Sequence, residues 1–516
     1  MRKLFYLFIL LLPLPLYAQQ DNTPVVGISD KRAEIYGFKN ARVVVDYQTT
    51  LENTDILVSD GRIQAVGQNL SFPKGTIVVD LTGKIVYPSF IDVYAGNYGI
   101  KTQPQGPETN PFAAFINPPQ TGRQSSVQTQ EPRIADYWND GIHASYDVSA
   151  EFIPDIKTAD EYRKAGFGAV VTFKTDGIVS GTSALVTTGD DKANNILLKN
   201  KASANYSFRR SRSKDLYPAS QFGIIALLRQ VNYDAQWYKQ LPAGYFHDDG
   251  LEAYTSNLIL PQVFEVENKL EVMRADRIGK EFGINYIIKG GGDEYQALDE
   301  IKKTGNKLII PVNFPEAPDV KDPYDAAIVP YETLKHYELA PSNLSRLSSA
   351  GITFSITSSD LKQRSSFLAN LRKAIKYGLP ETEALKALTA NPADMIGASA
   401  LIGAIKKNML ANFLITSGSI FSDTCVIYEN WVKGVPYRLT DLRIKDLRGT
   451  YSLTADTINF KMVLSGTFDK PTVKLSYDTT EIKGATFTID KDLVSMSFER
   501  SEEHTSDSSH SQQYRM

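Results

Sequence analysis

Few residues in this chain have both the type and the placement to do chemistry. Of its 5 histidines, three lie in the body of the sequence: His143 in DGIHASYD, His247 in the polar turn YFHDDG, and His336 in LKHYELA. None directly follows an apolar, strand-like run, so each reads as a surface or locally bonded imidazole ahead of a metal ligand. Cys425 is the single cysteine. In the alternating run TCVIYENWVKG it reads as a small packed hydrophobe rather than a nucleophile, and no intramolecular disulfide is available. Asp360, in SITSSDL, is the candidate acid: it either binds a polar ligand or, with Ser358 and Ser359, caps the helix that follows. The run Lys289-Gly290-Gly291-Gly292 ahead of DEYQALDEI offers main-chain N–H groups to an anion, but it lacks the lysine and serine of a phosphate loop and reads as a tight turn. FIDVYAGNYG, Phe90 to Gly99, ends a strand-like run with Asp92, Tyr94 and Gly96; Asp92 is read as stabilising the strand end.

The elements that must position these groups are legible from periodicity. From Ala41 to Val93, short runs such as DILV, RIQAVG and TIVVD alternate with turn signals, which predicts a small β layer. IVYPSFIDVY is a continuous apolar run suited to a strand buried on both faces. Residues 102–132 are rich in Pro, Gln, Ser and Thr and are expected to form a long loop. Helix and strand then alternate. ADEYRKAGF precedes GAVVTF, KLEVMRADRIGKEFG precedes INYIIKG, DEYQALDEIKKTG precedes KLIIPV, and PSNLSRLSSAG precedes ITFSIT, with QFGIIALLRQVNYDAQWYKQL a further helix. Repeated helix-to-strand units with five-residue apolar strands predict a TIM-type (β/α) barrel of parallel strands. SSFLANLRKAIKYG and PETEALKALTANPADMIG close it, with Pro380 in a first turn and Asn391-Pro392 opening the last helix. ANFLITSG and TCVIYENWVKGVPY return to strands, and Gly449 to Glu499 alternates as a second β block.

At 22% charged residues and a net charge of -3, the chain has no long basic face for nucleic acid; Arg209, Arg210, Arg212 and Lys214 read as a solvated loop. MRKLFYLFILLLPLPLYA, residues 1–18, has a basic start, an apolar run broken by Pro13 and Pro15, and Ala18, the pattern of a cleavable signal peptide. A spanning helix needs roughly 20 apolar residues, and no later segment supplies them, so the chain is expected not to span a membrane.

The order of these elements and several motifs resemble the amidohydrolase superfamily. SDGRIQAVG followed by VDLTGKIVYPSFID looks like the family's opening strands, ALKALTANPADMIG like its closing helix pair, and ANFLITSG with VIYENWVKGVPY like its returning β segment. YRKAGFGAVVTFKTDGIVSGTSALV and FGIIALLRQVNYDAQWY are similar to an exported bacterial subgroup. The resemblance implies a barrel at 89–400 with the loop insertion 102–132, a composite β-sandwich domain from 25–88 and 401–438, and a β-rich extension at 440–499. Residues 500–516 are expected to be a disordered, non-native tail, since RSEEHTS resembles a translated sequencing adapter; His504 and His510 are therefore not counted as ligands.

Chemistry in this family uses a metal-bound water whose pKa falls from above 15 to about 7. The resemblance places its His-x-His ligands at Tyr94 and Gly96. Phenol is a poor zinc ligand at neutral pH and glycine offers no side chain. Of the family's ligand-type positions Asp360 is kept, and Lys174 is a candidate for its modified bridging lysine without the other ligands to bridge. The expected function is a non-catalytic, metal-free pseudoenzyme of the periplasm, or a secreted one, acting as a binding or structural module whose small-molecule ligand is unknown. A second amidohydrolase domain of the same protein, beyond Glu499, is its expected partner. The alternative is an active metal-dependent hydrolase of C–N bonds in dipeptides or non-peptide amides, with zinc as cofactor.

Overall fold

A computed structural model of the chain describes residues 34–101, 137–210, 217–242, 244–440, 447–455, 458–466, 471–477, 480–482, 486–490, 493–497 and 511–515. The expected signal peptide and the loop 102–132 lie outside the described residues.

Strands from both ends of the chain share one sheet. β1 (Tyr36–Val44), β2 (Thr50–Ser59), β3 (Arg62–Gly67), β4 (Ile77–Asp80) and β5 (Ile85–Pro88) are hydrogen-bonded with β16 (Phe413–Thr416), β17 (Ile427–Val432) and β18 (Val435–Arg438) in the order β18-β17-β16-β5-β1-β2-β3, with β4 beside β1. Inward-facing aromatics from both halves hold this sheet's core. The Phe38 ring meets Trp431 and Phe413 edge-on at 5.0 and 5.3 Å, and Phe413 stacks on Trp431 at 5.5 Å. Burying Phe38 and Phe413 contributes about 2–3 kcal/mol each.

The α/β region that follows holds two sheets. β6 (Phe90–Asp92), β7 (Phe167–Thr172), β9 (Ala184–Thr187) and β10 (Leu197–Lys199) run in the order β10-β9-β7-β6. The other sheet has the order β15-β14-β13-β12-β11-β8, from β8 (Val179–Thr182), β11 (Ala204–Ser207), β12 (Gln262–Glu265), β13 (Tyr286–Lys289), β14 (Leu308–Pro311) and β15 (Phe354–Thr357). β11 to β15 are mutually parallel, as are β6 and β7. The expected run of parallel strands is therefore present, divided between two hydrogen-bonded sheets. β7 is buried throughout, as a strand covered on both faces must be.

Most of the expected helices form where the apolar stripes place them. Gln221–Gln240 buries Ile224, Leu227, Leu228 and Val231, and Lys269–Phe282 starts at Asn268, whose side chain accepts from the N–H groups of Leu270 and Glu271. Three local readings are corrected. The helix expected over DEYQALDEIKKTG breaks into a 3₁₀ turn, Glu294–Gln296, and an α-helix, Leu298–Thr304, at Ala297, whose backbone leaves the helical region with φ -142° and ψ 42°. Asn391 opens no helix: it lies inside Ala390–Met395, and its Nδ2 donates to the Phe354 carbonyl at 2.6 Å. Pro380 precedes its helix as the flanking residue instead of entering the first turn. Helices Pro323–Ile328 and Tyr331–Leu339 are not foreseen in the sequence, because neither buries a residue and so neither carries an apolar stripe.

The second β block forms a four-stranded antiparallel sheet, β19 (Gly449–Ala455), β20 (Ile458–Gly466), β21 (Pro471–Tyr477) and β22 (Thr480–Ile482), over a small core of Phe460, Met462, Leu464 and Leu475. A three-stranded sheet follows, from β23 (Thr486–Asp490), β24 (Leu493–Ser497) and β25 (Ser511–Arg515). Part of the expected disordered tail is thus a strand, since the backbone of β24 offers Ser511–Arg515 an antiparallel ladder.

Candidate functional site at the strand ends

Polar side chains gather at the carboxyl ends of β6, β12, β13 and β15, where a fold of parallel strands presents its chemistry. β12 ends in Glu265 and β13 in Lys289, and the two residues are register partners on adjacent strands. Lys289 is almost completely enclosed, its side chain 3% exposed. Its Nζ bonds the Asp360 carboxylate and lies 3.6 Å from Glu265 Oε1. The same Glu265 oxygen receives Arg209 Nη2 at 2.8 Å, and Arg209 Nε is 3.8 Å from Glu267. The Tyr94 ring lies 5.6 Å from Lys289 Nζ, close enough for a cation–π contact, and stacks obliquely on Phe173 at 4.5 Å. Burial holds the Tyr94 hydroxyl well above the usual phenol range, and the adjacent Glu265 carboxylate raises it further, so it remains a neutral hydroxyl.

Asp360 caps no helix. Its backbone is left-handed at φ 62°, and the turn and helix that follow have no side-chain cap bond from it. Arg209, read in the sequence as part of a solvated loop, is instead the second cation of this cluster. Arg212 and Lys214 lie outside the described residues.

Asp92 is completely buried at the end of β6. It accepts from the Tyr94 N–H at 3.0 Å, from Thr357 Oγ1 at 2.6 Å, and from the N–H and Oγ of Ser358 at 2.8 and 2.7 Å. Since β6 and β15 are edge strands of different sheets, this carboxylate ties the two edges at their carboxyl ends. The loop beyond β6 then turns at Gly96, whose φ of 63° suits glycine, and its carbonyl accepts from the Phe173 N–H and Thr172 Oγ1.

The remaining candidates are dispersed. His247 pairs locally with Asp249 and Glu252, His336 Nδ1 is 3.0 Å from the Tyr295 hydroxyl, and His143 is half-buried with its N–H on the Val179 carbonyl. Lys174 lies over the Tyr146 ring at 4.6 Å. Cys425 is half-buried, and burial pushes its thiol up. The glycine run is a tight turn around a buried acid. A Cβ on Gly290 would meet Glu294 Oε1 at 1.9 Å and one on Gly291 the Glu267 carbonyl at 2.0 Å, and the N–H groups of Gly290 and Gly292 are already taken by the Ile309 carbonyl and Glu294 Oε1.

Beside the loop after β6 lies a cavity of about 590 Å³ lined by Asn97, Tyr98, Lys157, Thr158, Tyr162 and Arg364, among others. Arg364 stacks on Tyr162 at 3.7 Å and pairs with Glu161 at 2.8 Å. This is a concave, partly aromatic surface with one fixed guanidinium.

The side chains at the strand ends do not fit a zinc ion. Zinc takes three or four nitrogen, sulfur or oxygen donors, and among the described residues no three His, Cys, Asp or Glu side chains are grouped to hold a metal. The two carboxylates that do converge already face an ammonium and a guanidinium. A divalent ion within about 4 Å of an ammonium would meet a repulsion on the order of 8 kcal/mol at an effective dielectric near 20.

Comparison with known proteins agrees with the fold. An amidohydrolase from Thermotoga maritima superposes with a TM-score of 0.59 at 21% identity, covering 78% of this chain and 100% of that one. A dihydroorotase from Citrifermentans bemidjiense is 39% identical over 56 residues, 11% of this chain and 13% of the dihydroorotase. Protein unc-33 of Caenorhabditis elegans is 46% identical over 56 residues, 11% of this chain and 6% of that protein. The chain thus spans only a small part of the length of these curated relatives. No family model matches it. The fold is that of the amidohydrolases, a mixed α/β architecture with several sheets. Among the described residues no helix is long and apolar enough to cross a membrane.

Proposed function

We propose that this chain is an amidohydrolase-fold protein that works without a metal ion, as a non-catalytic binding or structural module exported to the periplasm. Hydrolytic chemistry would reside in a second amidohydrolase domain of the same protein. One observation carries the reading: at the strand ends Lys289 places an ammonium between Glu265 and Asp360; the resemblance adds that Tyr94 and Gly96 take the positions of the family's His-x-His. The cavity flanked by Tyr162 and Arg364 supports a binding role, for a small molecule whose carboxylate or other polar group the guanidinium can meet. The finer architecture goes with this reading. The two sheets, parallel along β11 to β15 and at β6 and β7 but antiparallel where β8, β9 and β10 pair, form one barrel, sealed by Asp92 between β6 and β15 and by the direct passage of the chain from β8 to β9, and the sheet shared by both chain ends belongs to a composite β-sandwich.

The test is metal content and hydrolysis on the purified protein. Sub-stoichiometric zinc and no chelator-sensitive cleavage of dipeptides or cyclic amides are expected. Stoichiometric zinc with chelator-sensitive cleavage would establish the rival, an active metal-dependent hydrolase of C–N bonds.

A further inference from the structure

We infer that Lys289 is the resident cation of the strand-end cluster: its ammonium supplies the charge that holds Glu265 and Asp360 together, and lysine and a divalent ion exclude each other there. The inference rests on the metal-free reading above and deepens it, since it makes the loss of a metal a property of a named side chain as well as of missing histidines.

Three features carry it. The ammonium is placed by β13 itself, the last residue of a strand whose register partner is Glu265, so its position does not depend on a flexible loop. Its surroundings are closed, with Glu265 only 7% exposed and Lys289 only 3%, while Asp360 at 35% forms the outward side. A charge so enclosed persists only with partners of opposite sign, and the same holds for Glu265 without its cations. Arg209 reaches Glu265 from the side but is half-exposed and shared with Glu267, and no bond joins it to Asp360, so it does not replace Lys289 between the two carboxylates.

The roles of charge and of packing are separable in the full-length chain by comparing Lys289→Ala with the triple variant Lys289→Ala/Glu265→Gln/Asp360→Asn. Both leave the same space, but only the first leaves the carboxylates without their ammonium. The expected result is a fall in Tm of several degrees for Lys289→Ala and recovery of most of that fall in the triple variant. A triple variant that folds where Lys289→Ala does not would support the inference equally. Equal midpoints for the two variants, or failure of both to fold, would overturn it and leave the metal-free reading standing. Stoichiometric zinc in the wild-type protein would overturn both.

Discussion

Asp92 offers the sharpest test of how the edges β6 and β15 are held together. Its carboxylate receives four donors, and they are of two kinds. The Thr357 hydroxyl can rotate to another acceptor, since its Oγ1 lies 3.2 Å from the Tyr94 carbonyl, while Ser358 Oγ itself accepts from Arg364 Nε at 3.4 Å. The N–H groups of Tyr94 and Ser358 are fixed by the backbone and have no such freedom. In Asp92→Ala both are orphaned in a buried place, at about 1–3 kcal/mol each, so a loss of roughly 4 kcal/mol is expected. Asparagine keeps one oxygen, which can still accept from Tyr94 and Thr357. Its amide NH₂ then faces the Ser358 N–H, leaving one donor unmet, so Asp92→Asn should cost about 2 kcal/mol. Urea unfolding followed by circular dichroism would rank wild type, Asn and Ala in that order. Hydrogen exchange should show protection lost at Tyr94 and Ser358 in Ala and at Ser358 alone in Asn. If Asp92→Asn unfolded within about 0.5 kcal/mol of wild type, the spread of an unexceptional surface change, the carboxylate would not be the tie between β6 and β15.

Two further outcomes follow from buried groups elsewhere. Burial raises the Glu294 carboxyl above its ordinary 4.5, against the opposing pull of Gly292 N–H and Asn343. The folded state therefore holds this proton more tightly than the unfolded chain. The stability it contributes is complete below about pH 4.5 and is lost as pH rises through the folded value, so the difference in unfolding free energy between wild type and Glu294→Gln should shrink over that rise; a pH-independent difference would contradict this. Cys425, half-buried with a raised thiol pKa, should react with a disulfide reagent at pH 8 at least about tenfold more slowly than free cysteine and at the full rate in denaturant; equal rates in the native protein would place the sulfur in solvent.

Strands and most helices were legible because each is a local pattern: β7 is apolar up to its last residue, Thr172, and Gln221–Gln240 repeats its stripe. The two helices between β14 and Ala340 leave no such mark, since neither buries a residue. The strand-end cluster was only half legible. Asp360 stands out in the sequence, yet capping is the reading the sequence favours, and its actual partner lies 71 residues away on another strand. Periodicity shows which face a residue takes but not which neighbour it meets. A usable signal was nonetheless present: QVFE and YIIK are apolar strands that end in opposite charges, and parallel neighbours in register bring such ends together. Arg209 carried no comparable sign, because one member of a basic run looks like any other until a buried Glu265 selects it.

On the metal-free reading proposed above, the strand ends also account for the integrity of the fold. A bound divalent ion would serve two structural purposes, gathering strands from distant parts of the chain and neutralising carboxylates that burial would otherwise penalise. Here those purposes fall to separate groups. Asp92 gathers β6 and β15 through four hydrogen bonds to main-chain and hydroxyl donors, a set that involves no cation. Lys289 and Arg209 neutralise Glu265 and Asp360, a task that needs charge but no coordination geometry. Because neither group depends on an imidazole, Tyr94 is free to be an aromatic wall against Phe173 and Gly96 to be a turn. Placing histidines at 94 and 96 would not by itself make a zinc site: the Gly96 backbone, at φ 63°, disfavours a side chain, and Lys289 would still hold the carboxylates.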